Sequence, residues 1–174
     1  MQSAERQSLR VQPGSRGSTQ QLTRGAAWPA LFGVLGLAIS AYLAATHYFS
    51  AQVPLACATG GLVDCEQVTG SSESMVGPLP VAVLGLLWFA VFLALLVARR
   101  FRPQSSLMAA QMLWAVGGLL VVFYLVYAEL FLIGAICLWC TAIHAIVIAL
   151  FLLTLYEATA PTPPSSTRHS HGRP

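Results

Sequence analysis

Apolar residues run through this chain in four long blocks, from about Pro29 to Tyr48, Val81 to Ala98, Leu107 to Leu132 and Cys137 to Tyr156. A helix rises about 1.5 Å per residue, so roughly 20 residues cross a hydrocarbon core of about 30 Å. Each block is long enough, the second barely so, and the pattern predicts an all-α membrane protein, a bundle of four transmembrane helices. The first block exceeds the roughly 7–15 apolar residues of a signal-peptide core, which predicts an uncleaved anchor. Residues 1–25 are rich in Ser, Gln and Arg without apolar periodicity and read as an unstructured tail. The expected organisation is a tail over 1–25, a four-helix domain over 26–157 and a second tail over 158–174. His169 and His171 in that second tail are of a metal-ligating type, but they read as solvated tail.

Composition agrees with the pattern. Hydrophobic residues make up 56% of the 174 and charged residues 9%, against about 25% charged in a soluble domain. The chain lacks the means to coat itself against water. It also lacks the basic stripe of a nucleic-acid binder. Its nine basic residues are all Arg. Four spans put every one of them on one side, at the two ends and at Arg99, Arg100 and Arg102. The opposite side receives the long loop Phe49–Leu79, which carries Asp64, Glu66 and Glu73 but no Arg. The positive-inside rule predicts a cytoplasmic Arg side and an extracytoplasmic loop.

The four cysteines form two pairs. Cys57 and Cys65 lie in that loop. Cys137 and Cys140, in the run Cys137-Leu138-Trp139-Cys140, open the fourth block. Spans three and four are joined by so few residues that this run must sit at the same outward end. All four are thus placed where disulfides persist. Residues at i and i+3 share a helix face. At a helix N-terminus the unpaired amides and the macrodipole favour a thiolate, the reactive species in disulfide exchange. Spacing alone also admits two structural disulfides. A zinc site is possible on number, but one pair opens an apolar helix, which disfavours it. A c-type haem would need His where Thr141 stands.

The combination resembles the vitamin K epoxide reductase family, above all its bacterial members. The likeness is carried by Gly36-Leu37-Ala38-Ile39-Ser40-Ala41-Tyr42-Leu43 with His47-Tyr48, by Asp64-Cys65-Glu66-Gln67-Val68 with Ser71 six residues after Cys65, by Pro80 and Gly85 opening the second helix, by Tyr124-Leu125 and Ala135-Ile136-Cys137, and by the Cys-x-x-Cys followed by His144. It covers about residues 28–156. One departure is Pro78, preceded by Gly77, where the family has a Gly two residues before the Pro of helix two. This predicts a re-routed loop after Ser71.

The resemblance implies a membrane thiol–disulfide oxidoreductase with Cys57, Cys65, Cys137 and Cys140 as its redox relay. A partner thiolate would attack Cys57, Cys65 would attack Cys137, and Cys140 would be released as the thiolate facing a quinone, ubiquinone or menaquinone. No metal is implied. Ser71 would hydrogen-bond a quinone oxygen, and His144, one turn below Cys140, would be a second donor. Trp139 would pack at the interface or stack on the quinone ring. No thioredoxin-like domain follows the fourth helix, so a separate thioredoxin-like, DsbA-like partner is implied, with disulfide formation in exported proteins at the plasma membrane as the setting. Glu129, late in the third block, reads as interfacial or paired, with a proton route to the reduced quinone as the alternative.

Three rivals meet the same residues. A DsbB-type quinone reductase has the two motifs in the reverse order. A non-catalytic membrane scaffold would keep both cysteine pairs as structural disulfides. A transporter would need more ionisable residues inside its spans than His144 and Glu129.

Overall fold

The computed structural model of the chain describes residues 15–57 and 60–160, with backbone alone for residues 15–26. His169 and His171 lie outside the described residues. Four helices are long and apolar enough to cross a membrane, over Ala27–Tyr48, Val81–Phe101, Ser105–Ile133 and Leu138–Thr159. The predicted blocks fall on them within about three residues. The first belongs to a longer helix, α1, which begins at Ser15, inside the stretch read as an unstructured tail. The others are α3 (Val81–Phe101), α4 (Ser105–Tyr127) and α5 (Leu138–Thr159).

Side chains inside the bundle pack into one core, built on Phe89, Phe92, Ala115, Val122, Ile146, Val147 and Leu150. α1 lies close against α3 because Gly36 has no side chain: a Cβ there would come within 2.2 Å of Phe89 Cζ. In a bilayer, where lipid tails are as apolar as leucine, such close backbone approach is a principal source of helix association. α3 and α4 are tied by a reciprocal pair. Trp88 Nε1 donates to the Trp114 carbonyl (3.3 Å) and Trp114 Nε1 to the Trp88 carbonyl (3.1 Å). The outer surface is apolar, with Leu113, Phe123 and Phe131 exposed by 73, 62 and 73%. These faces have no partner in water and fit lipid.

The two ends of the bundle differ. At one end Arg99 donates to Gln111 Oε1 (2.6 Å) and to Glu157 Oε2 (3.1 Å), joining α3, α4 and α5. At the other end lies the long loop. It contains a short helix α2 (Cys65–Thr69), a 3-10 turn over Ser72–Ser74, and a hairpin of β1 (Met75–Val76) and β2 (Leu79–Pro80). The hairpin pairs Met75 with Pro80 and Val76 with Leu79. Its turn holds Gly77 at φ +62°, a conformation a side chain disfavours. The Gly77-Pro78 departure therefore makes a tight turn leading into α3.

Candidate active site

α2 is placed by its own start signal. Asp64 is the N-cap, its Oδ1 accepting from the Gln67 N–H at 2.9 Å. The loop then pairs with the connection between α4 and α5. Ile136 N donates to Leu62 O (2.8 Å) and Asp64 N to Ile136 O (3.1 Å). This backbone stitch puts Cys65 into one buried cluster with Val68, Ala135 and Cys137, with Cys57, Trp139 and Cys140 against it. Cys57 and Cys65 are joined as a disulfide with Cα atoms 6.1 Å apart. Cys137 and Cys140 are free thiols. Cys65 and Cys137 are both fully buried.

Cys137 is the N-cap of α5, and its Sγ accepts from the Cys140 N–H at 3.3 Å. A hydrogen bond from the Cys140 thiol holds the Cys137 thiol below the usual cysteine range. Burial opposes this, and the backbone N–H groups of Cys140 and Trp139 add to the lowering. The expected help from the helix end is present, and it serves Cys137.

Cys140 opens instead on a cavity of about 840 Å³ between the bundle and the loop. That size and its mainly apolar wall suit a small-molecule ring with an apolar tail. Ser71, Glu129 and His144 line the same cavity. So does Ser40, fully buried, whose Oγ has no hydrogen-bond partner among the described residues. Val121 and Tyr124, exposed on the outer face of α4, also line it, so the cavity reaches the apolar flank of the bundle. Tyr124 Oη donates to Glu73 Oε2 at 3.2 Å and so ties the loop to α4 beside the cavity.

Ser71 reaches the cavity but already donates to the Val68 carbonyl at 2.7 Å, so the expected hydrogen bond to a quinone oxygen would need that hydroxyl to turn. Trp139 does not line the cavity. Its Nε1 donates to Ala56 O (2.7 Å) and its ring meets that of Tyr42, centroids 5.2 Å apart. Tyr42 Oη donates to Pro54 O (3.1 Å) and accepts from Ala56 N (2.8 Å). Together the two aromatics hold residues 54–56, next to Cys57. Tyr42 was visible in the sequence only as part of a matching run. Its spacing from Trp139 in the chain gave no sign of this clamp. Glu129 is buried near the loop end of its span, and the Cys137 backbone N–H pairs with its carboxylate.

Four apolar helices with two cysteine pairs at one end, one joined and one free, have the make-up of a membrane thiol–disulfide oxidoreductase. The family model described as "Vitamin K epoxide reductase family" matches residues 27–155, and the chain belongs to that family. No curated protein matches the chain significantly.

Proposed function

We propose that this protein reoxidises a separate thioredoxin-like (DsbA-like) protein and passes the electrons to a membrane quinone, supporting disulfide formation in exported proteins. The observation that carries the reading is the split between the cysteines. Cys137 lies in one buried cluster with Cys65, whereas Cys140 faces the cavity. Electrons arriving at the loop pair therefore have a path to Cys137, and those leaving depart from Cys140.

A partner thiolate attacks Cys57 and frees Cys65, which attacks Cys137 in the oxidised Cys137–Cys140 pair and frees Cys140. The partner's second thiol then releases Cys57, which in turn displaces Cys137 from Cys65. The result is an oxidised partner, a Cys57–Cys65 disulfide and two thiols at Cys137 and Cys140, the arrangement described above. Re-forming the Cys137–Cys140 bond delivers two electrons and two protons to quinone, which is reduced to quinol. His144, buried on the cavity wall one turn below Cys140, is a donor to the oxygen that gains charge; Ser71 serves likewise once its hydroxyl turns. The Arg99 end is assigned to the cytoplasm and the loop to the exterior of the plasma membrane.

The test is quinone reduction by the purified protein with a reduced thioredoxin-like donor, using ubiquinone and menaquinone. Cys57→Ala and Cys140→Ala should both lose turnover, and dithiothreitol should restore only Cys57→Ala. No turnover by the unmodified protein with either quinone would leave the scaffold with two structural disulfides as the better account.

A further inference from the structure

Glu129 sits where a carboxyl is costly. It is 6% exposed, within a span, on the wall of an apolar cavity. Ionisable side chains within membrane spans are costly and rare, and mark function by default. Among the described residues the ion pair that forms is Arg99–Glu157, at the other end of the bundle, so no Arg offsets the charge of Glu129. What faces it is the redox pair. The Cys137 backbone N–H pairs with its carboxylate, and Cys140 lines the same cavity. His144 shares the cavity wall.

The backbone there is also unusual. Residues Ala128–Ile133 form a wider, π-helical turn, which ends at Gly134 with φ +71°. Such turns insert one residue into a helix and re-aim the side chains around it, and they concentrate at functional sites. Here the turn buries Glu129 while its neighbours Leu130, Phe131 and Leu132 face outward.

We propose that Glu129 is the proton carrier of the quinone-reducing step. As the Cys137–Cys140 bond forms, its carboxylate accepts the two thiol protons one after the other and delivers each to a quinone oxygen across the cavity. Two S–H bonds break, one S–S bond and two O–H bonds form, two electrons pass from sulfur to quinone, and Glu129 ends as it began. This deepens the function proposed above and rests on it.

The experiment uses the full-length protein with dithiothreitol as donor and a soluble quinone as acceptor. Glu129→Gln should lower kcat about 100-fold or more, the usual weight of a general acid–base group, with KM changed less than about threefold. Glu129→Asp should recover part of the rate, and formate should partly rescue Glu129→Ala, which a purely structural role would not allow. Alkylation must show that each variant keeps its Cys57–Cys65 disulfide and a reducible Cys137–Cys140 pair. A Glu129→Gln rate within twofold of the unmodified protein overturns this proposal alone. So does a slow Glu129→Gln with neither Asp recovery nor formate rescue. Absence of turnover in the unmodified protein overturns the functional reading and this proposal with it.

Discussion

The two ends of this bundle are held together by different physics. At the Arg99 end one guanidinium bridges three helices through the Gln111 amide and the Glu157 carboxylate. Gln111 is fully buried, with Nε2 unpartnered among the described residues. That end is a polar clamp, and nothing in it is chemically reactive. At the cysteine end a loop lies on the helix ends, fastened by backbone hydrogen bonds, a helix cap, a disulfide and two aromatic side chains. It encloses a cavity instead of filling it. Rigidity without space suits anchoring. Space beside a reactive sulfur suits a site that must admit and release a substrate. The comparison teaches that stability and chemistry are spatially separated in this chain, so they should respond to different substitutions.

The largest effect tests that separation directly. Cys140→Ala should abolish quinone reduction with any donor, whereas Arg99→Ala should leave the rate per folded molecule within about twofold. Arg99→Ala should instead cost about 1–3 kcal/mol, because it strips a charge-assisted partner from a buried amide. Thermal unfolding in detergent measures the second effect, and a large activity loss in Arg99→Ala with an intact fold would break the comparison. Next comes Tyr42→Phe, which deletes two hydrogen bonds to residues 54–56 and keeps the ring on Trp139. It should slow turnover several-fold with a protein donor and much less with dithiothreitol. Equal slowing with both would show that the clamp does not act through Cys57. Asp64→Ala removes the α2 cap and should cost about 1 kcal/mol, with greater protease sensitivity of the loop and little change at the Arg99 end.

The smallest effect is a titration. The Cys137 thiol is held below the ordinary cysteine range chiefly by the Cys140 thiol. Its thiolate should therefore persist as pH falls below that range and be protonated only lower still. Thiolate absorbance of the reduced protein should show one such group. Cys140→Ala removes its main stabiliser and should shift the midpoint upward; an unchanged midpoint would mean that the helix end alone sets it.

The sequence determined a good deal by itself. Four apolar blocks of spanning length can only satisfy their backbone as helices in lipid, so the number of spans and their limits were legible within a few residues. The pairing of cysteines by loop and helix end was also legible, because chain order and span count fix which end each occupies. What only the tertiary structure decided depends on contacts between residues distant in the chain. The pairing of Leu62 and Asp64 with Ile136 decides that Cys65 meets Cys137. The reach of Trp139 to Ala56, 83 residues away, takes that ring out of the cavity. The π-helical turn decides that Glu129 points inward, since hydropathy reads how apolar a segment is but not which way one side chain faces when all faces are apolar. Spans are written locally in composition, and the site is written in the packing of one element on another.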